Sequence, residues 1–248
     1  MQSRTKRLRT LFCIVFYRFS MSLSSQTRWH SFQSQEEINQ AALTRILAAA
    51  DAAIAKHGSF LIVLAGGSTP KAVYQLLAKA NADWANWHVY HNDDRCLPVD
   101  HPERNSKMAR DAWLSHVAIP ENQIHDIPAE LGNVEGAKAY AATLKGVRTF
   151  DLVILGLGED GHTASLFPGQ LVDNTADAVP VYNSPKPPAD RITISQDRLN
   201  NTYEVMFLVT GAGKQEAVDQ WRNGIAIPAT LIQSPNGVDV YCFGVELK

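Results

Sequence analysis

Three residues whose types and spacing could carry chemistry, Glu159, Asp160 and His162, follow an uninterrupted apolar run in the segment 150–169, FDLVILGLGEDGHTASLFPG. An imidazole titrates near neutral pH, and a carboxylate beside it can fix its tautomer, so an acid-flanked histidine on a turn points to proton transfer. The preceding Val153, Ile154 and Leu155 read as a strand buried on both faces, as in a parallel sheet. Ligands of such sheets bind beyond the carboxyl ends of the strands, which is where this turn falls. The competing reading is a histidine that only ties a loop together.

Gly156, Gly158 and Gly161 also spell G-x-G-x-x-G, the dinucleotide fingerprint. In that motif the third glycine opens a helix facing pyrophosphate. Here Pro168 follows too closely, and Glu159 and Asp160 would set carboxylates against the phosphates, so a nicotinamide site is disfavoured.

Other segments offer anion contacts. Gly66 and Gly67 permit close backbone approach, Ser68 and Thr69 add hydroxyls, and Pro70 suits the first turn of a following helix. The loop lacks the P-loop lysine, and Ser68 or Thr69 serves either as a helix cap or as a phosphate ligand. Residues 211–214, GAGK, repeat the pattern of apolar strand, glycine loop and helix, with Lys214 as the cation. If these strands are parallel neighbours, all three loops open on one rim. The cluster 91–95, HNDDR, adds Asp93 and Asp94 as base or hydroxyl ligand and Arg95 as a bidentate phosphate contact, against the plainer reading of a solvated turn. No further carboxylate spacing supports a magnesium site, so no metal is expected.

The elements needed to position these loops follow from periodicity. Helices are expected over 35–57, 71–80, 105–117, 135–144 and within 211–221, and strands over 60–65, 87–90, 150–155, 191–195, 203–210 and 238–243. Strands alternating with helices imply an α/β fold with a mainly parallel sheet, helices on both faces and a Rossmann-like, modified topology.

With 248 residues, 45% of them hydrophobic, and no composition break, residues 21–248 read as one domain. A net charge of −2 with scattered cations argues against a nucleic-acid surface, and no span of membrane length occurs. Cys13, Cys96 and Cys242 are far apart and not in metal spacing, which favours a reducing, cytoplasmic setting. Residues 1–20 carry five cations, no acid and a short apolar run closed by Arg18, and are expected to be an extension outside the native domain.

From about residue 30 onward the chain resembles the 6-phosphogluconolactonase family, within the wider group that includes glucosamine-6-phosphate deaminase. The resemblance is carried by LAGGSTP at 64–70, DDRCLPVDHPERNS at 93–106, the 150–169 segment, RITIS at 191–195 and FLVTGAGK at 207–214. It implies hydrolysis of 6-phospho-D-glucono-1,5-lactone without a cofactor. His162 would be the water-activating base, Asp160 and Asp93 would orient it or contact hydroxyls, and Gly66, Gly67, Ser68, Thr69, Arg95, Arg191 and Lys214 would hold the phosphosugar. The deaminase branch resembles DGHIAFNEPG where this chain has DGHTASLFPG, so the deaminase glutamate falls on Phe167, which cannot carry a proton. A deaminase-type isomerase and a non-catalytic sugar-phosphate sensor are the alternatives. Two departures stand out: Asp94 where the family usually has Glu, and the ending YCFGVELK in place of an expected Trp-x-x-Asp.

Overall fold

The fold is described from a computed structural model, which covers residues 26–170 and 174–247; the expected N-terminal extension lies outside them. The elements in chain order are β1 (Thr27–Ser31), α1 (Gln35–His57), β2 (Phe60–Leu64), α2 (Ser68–Leu77), β3 (Trp87–His91), β4 (Asp93–Arg95), α3 (Asn105–Ala112) and β5 (Ile124–His125). They continue with α4 (Asn133–Leu144), β6 (Phe150–Gly156), β7 (Ala178–Val181), β8 (Arg191–Ile194), α5 (Gln196–Asn200), β9 (Thr202–Thr210), α6 (Gln215–Arg222) and β10 (Val238–Phe243).

Seven strands pair in the order β1-β10-β9-β6-β2-β3-β5, every pair parallel. Apart from β1, this is the doubly wound order. From β2 the chain moves outward through β3 and β5, then returns to β6 and moves the other way through β9 and β10. The order therefore reverses between β2 and β6, and the crevice at their carboxyl ends is where such a sheet binds ligands. The modifications are β1, added outside β10, and a separate antiparallel sheet, β4-β8-β7.

Alternation along the central strands builds two cores. Leu61 and Val63 of β2, with Val153 and Leu155 of β6, join the core covered by α4, α6 and the small sheet. Phe60, Ile62 and Leu64, with Leu152 and Ile154, join the core covered by α1, α2 and α3. Strands buried on both faces need no polar side, which is why FLIVL and LVIL are unbroken apolar runs. Helix α1 is delimited by its own chemistry: Ser34 accepts the Glu37 amide, Glu37 accepts the Gln33 amide, and Gly58 ends it at φ 79°.

Several boundaries differ from the sequence expectation. Helix α2 begins at Ser68 and ends at Leu77, since Pro70 is tolerated inside the first turn. The helix expected over 105–117 stops at Ala112 and passes into a short 3-10 turn, Leu114–His116. The 191–195 strand belongs to the antiparallel sheet, not the parallel one. Strands β1, β4, β5 and β7 carry little periodic signal: β1 is a half-exposed edge strand, β5 has two residues, and β7 contains Pro180, tolerated because β7 is an edge. Among the described residues no helix is long and apolar enough to cross a membrane.

Tyr74 of α2 ties the fold to the crevice. Its fully buried hydroxyl donates to the Ala65 carbonyl at 2.9 Å and accepts from the Ala65 amide at 3.0 Å, fixing the backbone one residue before Gly66. Tyr74→Phe strands both backbone groups in the core and is expected to destabilise the protein by about 1–3 kcal/mol, read as a lower urea midpoint at unchanged m-value.

Candidate active site

The turn after β6 is built around one hydrogen bond. His162 Nδ1 lies 2.5 Å from Asp160 Oδ1, which also accepts the His162 amide at 3.2 Å. With the carboxylate holding Nδ1–H, the imidazole's Nε2 is the nitrogen left with a lone pair. Glycines are required here sterically. A Cβ on Gly158 would lie 2.0 Å from His162 Nδ1 and 2.6 Å from Asp160 Oδ1, and one on Gly161, at φ 85°, would lie 2.8 Å from Ile227 Cβ. Ala229 donates to the Gly161 carbonyl at 3.2 Å, so the segment before β10 buttresses the turn from behind. No helix begins within residues 161–170, which removes the structural basis of a dinucleotide site.

Burial lowers the His162 pKa below its ordinary value, and the hydrogen bond and charge of Asp160 only partly restore it. For Asp160, burial pushes the pKa up, but the bond to His162 and the charge of that ring outweigh it and leave the carboxyl below the usual range. Phe167, buried beneath the turn, packs on the imidazole with ring centroids 4.7 Å apart. The position where the deaminase branch has a carboxylate thus supports the ring by contact.

Strand β4 explains the divergent roles of the DDR residues. Its pairing with β8 sets Asp93 opposite Thr193, Asp94 opposite Ile192 and Arg95 opposite Arg191. Alternate residues point to opposite faces, so Asp93 and Arg95 face the cleft and Asp94 turns away from it. Asp94, fully buried, accepts from Arg104 Nε (2.8 Å), the Asn105 amide (2.7 Å), Ser106 Oγ (2.8 Å) and the Arg95 amide (2.8 Å). It anchors the start of α3 and is no base or sugar ligand, a correction to the sequence reading. Asp93 accepts from Ser165 Oγ at 2.5 Å and Asn105 Nδ2 at 2.9 Å, with Arg191 at 3.9 Å. It makes no hydrogen bond to His162, so Asp160 is the acid paired with the imidazole.

Arg191 is largely committed to structure. Its Nε donates to the Pro188 carbonyl and its NH2 to the carbonyls of Pro187 and Lys186, at 2.9–3.2 Å, pinning the proline-rich strap before β8. The strap delivers Lys186 to the cleft. Lys186, Asn92 and Asn105 are cleft residues that sequence reasoning did not single out, although the HNDDR cluster contained Asn92.

The phosphate candidates divide. Gly66, Gly67, Arg95, Arg191 and Lys214 line one cleft of about 350 Å³ together with Gly158 and His162. A Cβ on Gly66 would lie 2.0 Å from Asn105 Oδ1, so only glycine fits there. The N-cap of α2 is Gly67, at φ 106°, with no side-chain cap, so neither Ser68 nor Thr69 serves as the cap. Ser68 is exposed, and the Thr69 hydroxyl meets that of Thr210 at 2.6 Å, joining the α2 loop to the end of β9. The first amides of α2 remain without a side-chain cap at the cleft rim, and burial lowers the Lys214 pKa against the opposing charge of Glu159.

Residues 33–241 match the family described as glucosamine-6-phosphate isomerases/6-phosphogluconolactonase. The chain belongs to this family. A relative from Synechocystis sp. named 6-phosphogluconolactonase is 42% identical over 178 residues, 68% of this chain and 73% of the relative. A chloroplastic 6-phosphogluconolactonase of Arabidopsis thaliana is 37% identical over 183 residues, 66% of this chain but 56% of the plant protein. The crystal structure of 6-phosphogluconolactonase from Thermotoga maritima shares the fold, with a TM-score of 0.83 at 23% identity, covering 89% of this chain and all of that one.

Removing the Asp94 carboxylate would leave Arg104, itself 2% exposed, without its buried counter-ion. Asp94→Ala is expected to lower stability by about 3–5 kcal/mol in denaturant unfolding, while the fraction that folds keeps its turnover.

Proposed function

We propose that this protein hydrolyses 6-phospho-D-glucono-1,5-lactone to 6-phosphogluconate, as the lactonase branch of its family does. The observation that carries the reading is the Asp160–His162 pair, fixed in a cleft that also holds Arg95, Lys186, Arg191 and Lys214. Such a site combines a base with a surplus of cations for a phosphate and a developing oxyanion. The lactonase names of the relatives and the phenyl ring at position 167 support the same branch.

In this mechanism the phosphate seats against the amides after Gly67 and the Lys214 and Arg95 side chains, which places the ring over the β6 turn. Water lies between His162 Nε2 and the lactone carbonyl. Nε2 takes a proton as the water oxygen bonds to C1, and the carbonyl π pair moves onto its oxygen. Asp160 keeps the ring oriented through Nδ1–H and stabilises the imidazolium. When the tetrahedral intermediate collapses, the C1–ring oxygen bond breaks and the same proton returns to the leaving oxygen, giving the 5-hydroxyl and the free acid. The proton is conserved between water, the histidine and the leaving oxygen. Anchoring a remote phosphate lowers the barrier by pre-paying orientation. A cytoplasmic location belongs to the same reading, supported by unbonded Cys96 and Cys242.

His162→Ala is expected to lower kcat by about 10²–10⁴ over freshly generated lactone, after subtraction of spontaneous hydrolysis. Because the His162 pKa is held below its ordinary value, kcat/KM should rise with pH through a group titrating below about 6.5 and then level off. In Asp160→Asn the ring loses its counter-charge, so the acid limb should move to still lower pH while the plateau falls. A limb that stays in place, or a plateau that is kept, would separate Asp160 from the base.

A further inference from the structure

The mechanism above leaves one catalytic part unassigned: the group that meets the negative charge on the carbonyl oxygen. We propose that Lys186 is this catalytic residue, its ammonium stabilising the oxyanion formed when water attacks the lactone. The assignment deepens the lactonase reading and rests on it.

In the proposed mechanism Arg95 and Lys214 are given to the phosphate, and Arg191 is bound to the strap. Arg95 donates to the Glu103 carbonyl at 2.5 Å. Arg191 spends Nε and NH2 on three carbonyls of the strap and turns NH1 towards Asp93. Lys214 follows Thr210, whose hydroxyl meets Thr69 at the start of α2, and the proposed mechanism gives it to the phosphate; Gly213 beside it lies against Glu159, where a Cβ would be 3.2 Å from Oε1, and the charges of Glu159, Lys186 and Asp160 act on Lys214. Lys186 enters the cleft on the strap before β8. Its ammonium makes no hydrogen bond or ion pair among the described residues, and it is the cation whose charge is felt at His162.

The strap is built for placement. The Lys186 carbonyl accepts from Ser184 Oγ at 2.8 Å and from Arg191 NH2 at 3.0 Å, and its amide donates to Ser184 Oγ at 3.2 Å. The Ser184 amide closes the loop on the Ala189 carbonyl at 2.9 Å. Pro185, Pro187 and Pro188 flank the lysine and remove backbone freedom on both sides. A backbone held this firmly at a half-buried lysine fixes where a flexible side chain starts, which preorganises its charge before charge develops on the substrate. On this account Arg191 is a positioning residue acting through Lys186, not a phosphate ligand.

The test compares wild type, Lys186→Met and Lys186→Arg on freshly generated 6-phosphogluconolactone. Lys186→Met keeps the stem and removes the charge. It should lower kcat by about 10²-fold, the scale of one lost oxyanion donor, with KM changed less than about threefold. The charged groups facing His162 are Asp160 on its own turn, Asp93 from β4 and Lys186 from the strap. Removing the lysine should therefore also move the acid limb of kcat/KM to higher pH, a shift that a purely structural loss would not produce. Lys186→Arg should recover part of kcat and restore the limb. A rise in KM with kcat intact would assign Lys186 to the phosphate and overturn the proposal, as would unchanged kinetics. Absence of turnover by wild type would instead overturn the lactonase reading itself.

Discussion

The hydrogen bond from His162 Nδ1 to Asp160 is the constraint on which the rest of the site depends, because it decides which ring nitrogen can accept a proton. Everything near it makes room for that contact or holds it in place. Gly158 has no Cβ because the pair occupies that space, Gly161 takes a left-handed conformation against Ile227, and Phe167 packs under the ring. The pair stands at the carboxyl end of β6, beside the point where the strand order reverses, so the sheet that builds the core also opens the crevice.

The small antiparallel sheet is the second organising device. By pairing β4 with β8 it uses the two-residue period of a strand to split neighbouring acids between opposite duties. Asp93 faces the cleft and holds Ser165, in the same loop as His162, while Asp94 faces inward and caps α3 through Asn105 and Ser106. The strap leading into β8 then carries Lys186 into the same cleft. The Asp160–His162 turn, the uncapped start of α2 and the strap thus reach one cleft from three separate stretches of chain, which under the proposed mechanism lets phosphate binding orient the bond that breaks.

Much of this was legible in the sequence because the central strands are buried on both faces and the loops after β2, β6 and β9 carry glycines. FLIVL and LVIL, short and bounded by glycines or turns, read as strands of a covered parallel sheet, and the three loops do open on one cleft. What was hidden lacked periodicity. Three residues of β4 look like a polar turn, and without that strand the opposite orientations of Asp93 and Asp94 cannot be derived. The charge of Arg191 is visible in the sequence, while the three carbonyls it binds in the strap are not. Lys186 was hidden by its neighbours, since a proline-rich loop reads as a connector until its backbone hydrogen bonds are seen. The capping alternative for Ser68 and Thr69 failed for a local reason: Gly67 takes the N-cap position, and the hydroxyls fall inside the helix.

The central claim, that Asp160 holds His162 as an Nε2 base, is tested most directly by nitrogen-15 NMR of the imidazole across pH. The account predicts that neutral His162 carries its proton on Nδ1, with a titration midpoint below that of an ordinary histidine. A neutral ring protonated on Nε2 would contradict it, because the nitrogen facing water would then be a donor and could not accept the proton that lactone hydrolysis requires.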